Sequence, residues 1–195
     1  MKSVLISIHP EWCEKIVNGK KTIEVRKTAP KEVPFKAYIY CTKVESNWQY
    51  RDYVGAYVNS KGKIVFAQQH IIGEFVCDRV DEYTFSHYEA EYRVTHVEQE
   101  AMGLNQAELI RYGKGKPLYG LHITDLKIYD KPKELSEFYA TCRYKNDDGT
   151  CRYCRVNCYY QRLDYNQDGS INLVECGKKI TRPPQSWQYV DEVKE

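Results

Sequence analysis

Gly19-Lys20-Lys21-Thr22-Ile23-Glu24-Val25-Arg26 is the stretch on which the reading of this chain turns. Glycine closes a helix readily because it enters the left-handed region without a Cβ clash. The residues after it alternate, so Thr22, Glu24 and Arg26 share one strand face and Ile23 and Val25 the other. With Lys21 at the strand's entry, an ammonium, a carboxylate and a guanidinium stand within six residues. Such a wall both donates and accepts hydrogen bonds, which suits a base or a phosphate. Spacing alone also fits an exposed edge strand whose surface ion pairs contribute little. Glu24 beside Lys21 is expected to favour the charged ammonium and to work against a neutral lysine base.

The flanks support a strand–helix–strand entry. Ser3 to Ile8 is β-rich, Pro10 is a good first helical residue, and Trp12, Cys13, Ile16 and Val17 recur at helical spacing. Phe35 to Cys41 reads as a further strand, residues 43 to 62 as a hairpin or loop, and Ile71 to Val80 as strand with Gly73 a candidate bulge. Asn105 with Glu108 three residues on predicts a capped helix over 106–112, followed by a basic loop, Gly113-Lys-Gly-Lys-Pro117. Leu118 to Tyr129 returns to strand alternation. The fold class is therefore α+β, a small β-barrel with short flanking helices and a Cys-rich, metal-stapled insert. The expected units are 1–138 for the barrel, 139–179 for the insert and 180–195 for a tail that packs back on the barrel.

Composition bounds the partners. The chain has 18 tyrosines against 5 Phe and 3 Trp, an excess that suits curved sheet bordering a wet pocket. A net charge of +2 provides no global basic field for duplex binding, so any nucleic-acid contact must be local. No stretch is apolar over the ~18 residues of a membrane span, and the N-terminus lacks a signal-peptide pattern, so the expectation is a cytoplasmic protein with no membrane partner.

Cys13, Cys41 and Cys77 are scattered singly through apolar segments, as reduced core cysteines are. Cys142, Cys151, Cys154, Cys158 and Cys176 share one polar stretch, which in a reducing compartment reads as a metal site. Cys151 and Cys154 form a CxxC knuckle, Cys158 follows, and Cys142 or Cys176 completes four thiolates for a structural zinc. Asp164, Asn166, Asp168, Ser170 and Glu175, with Gly169 between, match the keyed positions of an EF-hand calcium loop. Gly177 follows too soon for an exit helix, so an Asp/Asn-rich turn explains the pattern equally well.

Gly19, Lys21, Glu24 and Arg26 together resemble the GxKxxExR signature of ASCH domains, small barrels of the PUA-like superfamily. The resemblance spans roughly residues 1–130 and extends to LYGLHITDLKIYDKP and the RPPQSW tail, which look like bacterial and phage-encoded members. It implies an RNA- or modified-nucleotide-binding pocket lined by Lys21, Glu24 and Arg26, with Trp187 of the tail stacking a base. One branch of the family hydrolyses N4-acetylcytidine with a Lys, a Thr three residues later and a downstream Glu. By that likeness Lys21 and Glu100 have counterparts, but Glu24 stands in the Thr position. Were the chain an amidohydrolase, Lys21, Glu24 and Glu100 would be its catalytic residues; the departure moves the expectation toward binding. A third reading makes the Cys-rich insert a protein-interaction adaptor.

Overall fold

The computed structural model describes residues 1–43, 55–141, 163–165, 171–173 and 178–191. The chain opens with β1 (Lys2–Ile8), whose side chains beyond Lys2 are buried throughout. Helix α1 (Pro10–Val17) starts on Pro10 and buries Cys13, Ile16 and Val17. It ends at Asn18, and Gly19 then takes φ +71°, a conformation that favours glycine. Strand β2 (Ile23–Arg26) is buried along its whole length, charged residues included.

The remaining strands are β3 (Phe35–Cys41), β4 (Ile71–Cys77), β5 (Val80–Tyr83), β6 (Phe85–Ser86) and β7 (Glu91–Tyr92). Two helices follow, α2 (His96–Met102) and α3 (Gln106–Gly113). After them come β8 (Leu118–His122), β9 (Thr124–Lys133), β10 (Tyr139–Ala140), β11 (Leu163–Tyr165), β12 (Ile171–Leu173), β13 (Lys178–Lys179) and β14 (Trp187–Asp191). Both helices carry a full capping box, Thr95 with Glu98 and Asn105 with Glu108. Each box satisfies backbone donors that a helix start leaves bare. The α3 box was expected; α2 was not, although Thr-x-x-Glu is visible at 95–98.

Seven strands form one sheet in the order β13-β10-β14-β1-β3-β4-β9, and β2-β8-β5 form a second. The fold is thus α+β with few helices. Among the described residues the end strands β13 and β9 do not pair, so these sheets are open where a closed barrel was expected. Strands β1 and β3 run parallel, from Lys2↔Phe35 to Ile8↔Cys41. The segment joining them carries α1 and sends β2 into the second sheet, where Glu24 pairs with Leu121 and Arg26 with Tyr119. The tail returns as β14, antiparallel to β1 with Ser3 opposite Val190.

The core lies where α1 packs beside β1, β3 and β4, with Val4, Ile6, Ile16, Ile39, Ile72 and Phe75 essentially inaccessible. A second cluster joins β2 to the helices through Ile23, Val25, Met102 and Leu109. Gly73 sits at the expected irregularity: opposite Ile39 and Tyr40 stand Gly73 and Ile71, leaving Ile72 as the extra residue. A Cβ at Gly73 would lie 2.5 Å from the Lys127 carbonyl oxygen across the β4–β9 pair. Gly73→Ala is therefore expected to destabilise the protein by about 1–3 kcal/mol, read as a lower urea midpoint with an unchanged slope.

The insert calls fall mostly outside this description. Cys142, Cys151, Cys154, Cys158, Cys176, Asn166, Asp168, Ser170 and Glu175 lie outside the described residues. Asp164 is described only as a backbone position in β11, paired with Asn172 of β12. Among the described residues no group of three or more His, Cys, Asp or Glu is placed to hold a metal. No helix among them is long and apolar enough to cross a membrane.

Candidate functional site

The polar run of β2 is buried, not displayed on an edge. Lys21 is 2%, Glu24 5% and Arg26 8% exposed, values that exclude the surface-ion-pair reading. Glu24 stands between the two cations: its Oε1 lies 2.9 Å from Arg26 Nη2 and its Oε2 3.4 Å from Lys21 Nζ. Sequestered charges are tolerated when each is paired and hydrogen-bonded, and the surrounding backbone supplies the rest. Arg26 Nη2 donates to the Ser7 carbonyl at 2.5 Å. Lys21 Nζ donates to the Met102 carbonyl at 2.5 Å.

That last contact shows why Lys21 points inward. The four final carbonyls of α2 need partners from outside the helix. Gln99 and Glu100 accept from Leu104 N and Gly103 N at 3.1 Å and 3.0 Å. Ala101 accepts from Thr22 N at 2.8 Å, and Met102 accepts from the Lys21 ammonium. A cation at a helix C-terminus is also favoured by the helix dipole. Segment 21–22 is therefore the cap of α2 as well as the entry to β2.

A cavity of about 750 Å³ opens over this row. Its floor includes Lys21, Glu24 and Arg26; α1 supplies Trp12, α3 supplies Glu108, Arg111 and Tyr112, and the tail supplies Pro183, Pro184 and Gln185. Ser7 ties the tail down, its Oγ donating to the Pro184 carbonyl at 2.6 Å and its N–H to the Ser186 carbonyl at 3.0 Å. Trp12 lies under two ammonium groups, Lys15 Nζ at 4.2 Å and Lys21 Nζ at 5.1 Å from its ring centre. At the rim, Lys27 Nζ stands 4.8 Å from the Tyr112 ring centre. Two buried atoms of the floor, Glu24 Oε2 and Arg26 Nε, have no hydrogen-bond partner among the described residues. The 3.4 Å approach of Lys21 to that Oε2 is an ion-pair contact without hydrogen-bond geometry.

Burial lowers the pKa of Lys21 from its ordinary 10.5; the charge of Glu24 opposes the shift, while the charges of Arg26 and Lys15 add to it. Glu24 acts in the expected direction, favouring the ammonium, but desolvation of an ammonium this deep outweighs one neighbouring carboxylate that is itself shared with Arg26.

Other anticipated residues are placed elsewhere. The Glu100 side chain is 70% exposed, lies 3.5 Å from His96 on α2 and does not line the cavity. Trp187 does not line it either: its Nε1 donates to the Thr28 carbonyl at 3.0 Å, and its ring meets Tyr189 edge-on. Thr22 lines a separate cavity of about 390 Å³ with Asp78, Arg79, Glu98 and His122. Trp12, Arg111 and Tyr112 were not singled out from the sequence. Trp12 was read as helix packing, and nothing in the 106–112 pattern shows which face of α3 meets β2.

The molecule is thus a small α+β protein with a buried cation–carboxylate–cation row flooring a cleft. The family model for the ASCH domain matches residues 6–161, and the chain belongs to that family. Among solved structures it is similar to an ASCH protein from Zymomonas mobilis, with a TM-score of 0.50 and 18% identity over 98% of this chain and 89% of that one. A point mutant of that Zymomonas mobilis protein gives a TM-score of 0.51 at 18% identity, covering 98% and 92% of the two chains. At such identity the likeness concerns the fold alone. No curated protein matches by sequence.

Two outcomes follow from the burial. Glu24→Ala leaves two buried cations without their shared carboxylate and is expected to cost about 3–5 kcal/mol, measured by urea unfolding. The second concerns pH. Because the folded-state pKa of Lys21 lies below its unfolded 10.5, the unfolded chain binds more protons between those two values. Stability attributable to Lys21 therefore rises with pH through that window. The wild type is expected to gain on Lys21→Met in paired unfolding curves as pH rises toward 10.5; parallel curves would contradict it.

Proposed function

We propose that the chain binds RNA or a modified nucleotide in the cavity floored by Lys21, Glu24 and Arg26. The observation that supports this most directly is the cavity that the buried row of Lys21, Glu24 and Arg26 lines together with Trp12, Arg111 and Tyr112. The volume of about 750 Å³ accommodates a nucleotide-sized molecule. Trp12 and Tyr112 offer aromatic surface for a base, and Arg111 at the rim offers a guanidinium for a phosphate.

A hydrolytic role toward N4-acetylcytidine-like nucleosides is the second reading, favoured by the lowered pKa of Lys21. It lacks a proton shuttle at Glu100, which is exposed on α2, and a hydroxyl at position 24. Incubation with N4-acetylcytidine distinguishes the two: release of cytidine establishes hydrolysis.

For the binding reading, fluorescence anisotropy with single-stranded RNA and nucleotide competitors is the measurement. Lys21→Ala and Arg26→Ala are expected to abolish binding. Arg111→Ala, an exposed substitution, should weaken it about 3- to 10-fold with the melting temperature unchanged. If wild-type protein binds no RNA or nucleotide, the reading fails. The thiols Cys142, Cys151, Cys154, Cys158 and Cys176 belong to the same proposal as a structural zinc staple using four of the five, with calcium at Asp164, Asn166, Asp168, Ser170 and Glu175 as its acidic-loop counterpart. Elemental analysis of purified protein is expected to find about one zinc per chain, and chelation to lower the melting temperature.

A further inference from the structure

The charges of this chain nearly cancel, with 29 lysines and arginines against 27 aspartates and glutamates. Two segments depart from that balance: residues 25–31 and 109–117 hold basic residues and no acidic one. The fold brings them together at the rim of the larger cavity. Strand β2 pairs with β8, placing Arg26 opposite Tyr119, and Lys27 Nζ stands 4.8 Å from the Tyr112 ring centre. Arg111 and Tyr112 of α3 line the cavity, and the basic loop runs on directly from that helix. Lys27, Arg111, Lys114 and Lys116 are all exposed. Among the described residues none of them is paired with a carboxylate.

The loop is held in place through its backbone. Lys114 N–H donates to the Ile110 carbonyl at 2.9 Å and Lys116 N–H to the Gly113 carbonyl at 3.1 Å. The Lys116 carbonyl accepts from Tyr92 Oη at 2.6 Å, and Tyr92 is itself buried on β7. An ordered turn thus carries both lysines, which reduces the entropy lost when they engage a ligand. Glu108, the acidic residue of α3, is committed to the other end of the helix, where its Oε2 accepts from Asn105 N at 2.9 Å.

A free mononucleotide carries its phosphate at one place, and Arg111 on the cavity wall can meet it there. Lys27, Lys114 and Lys116 do not line the cavity. Exposed cations outside the cavity and without carboxylate partners suit a ligand whose phosphates continue past the bound nucleotide. Such a strand is single, because a base enters a cavity only when it is unstacked and unpaired.

We infer that the cavity takes one nucleotide of a single-stranded RNA, whose flanking phosphates lie on Lys27, Arg111, Lys114 and Lys116. This rests on the nucleotide-binding reading above and narrows it from a free nucleotide to a strand. The strip is short: Gly115 packs against Phe85 and His87 of the β6–β7 hairpin, which carries the exposed acids Glu89 and Glu91.

The test is fluorescence anisotropy of the full chain with a labelled, mixed-sequence single-stranded RNA dodecamer, competed by nucleoside 5′-monophosphates, between about 50 and 300 mM salt. At the lower salt the dodecamer is expected to bind at least about tenfold tighter than any monophosphate, with a log–log salt slope of about −2 to −3. The double substitution Lys114→Gln, Lys116→Gln, with its melting temperature checked, should weaken the dodecamer about tenfold and flatten the slope by about 1.4. Removing the same charge from β9, at the edge of the large sheet, by Lys127→Gln with Lys131→Gln should leave both unchanged. Full affinity and slope in the Lys114, Lys116 variant overturn the inference, as does an equal loss in the β9 variant or equal binding of a duplex dodecamer. A monophosphate that binds as tightly as the dodecamer overturns the strand and leaves nucleotide binding intact. Binding of neither RNA nor nucleotide defeats both readings.

Discussion

The structure is organised around one carboxylate between two buried cations. Lys21, Glu24 and Arg26 sit on or beside a strand whose every residue is inaccessible. Isolated ions of this kind would carry a desolvation penalty of several kcal/mol each. They are tolerated because Glu24 gives one oxygen to each cation, and because two backbone carbonyls accept from the cations from opposite sides. Those carbonyls belong to Ser7 on β1 and Met102 at the end of α2. The charged row therefore fastens β1, a central strand of the large sheet, to the helical side of the small one.

The same contacts define the cleft. Ser7 accepts from Arg26 and holds the returning tail through Pro184 and Ser186, so the tail becomes one wall of the cavity. Lys21 and Thr22 cap α2, whose left-handed end at Gly103 leads through Leu104 into α3 and its rim residues Arg111 and Tyr112.

The pKa balance at Lys21 bears on what the cleft can do. Burial is the largest influence and lowers the pKa, while Glu24 pulls the other way. A lysine tuned in this direction is a feature of proton-transfer sites as well as of buried binding sites. Glu100 lies outward on α2, and the carboxylate nearest the lysine is shared with an arginine, while Glu108 of α3 is a further carboxylate lining the cavity.

Much of this was legible in the linear sequence. The alternation in Thr22–Arg26, Pro10 opening α1, Gly19 closing it, the Asn105–Glu108 box and the bulge at Gly73 are local signals set by backbone sterics and side-chain spacing. Those forces act over a few residues, so the sequence determines them alone, and the signature from Gly19 to Arg26 likewise marked the charged row and the family. Only the tertiary structure decided that the row is buried, because burial depends on what packs over β2: the returning tail and two helices some eighty residues away. It also decided that Glu100 and Trp187 lie away from the cleft while Trp12, Arg111 and Tyr112 line it. A residue's place on its own strand or helix follows from local periodicity, but which face meets which cavity is fixed by long-range pairing, on which periodicity is silent.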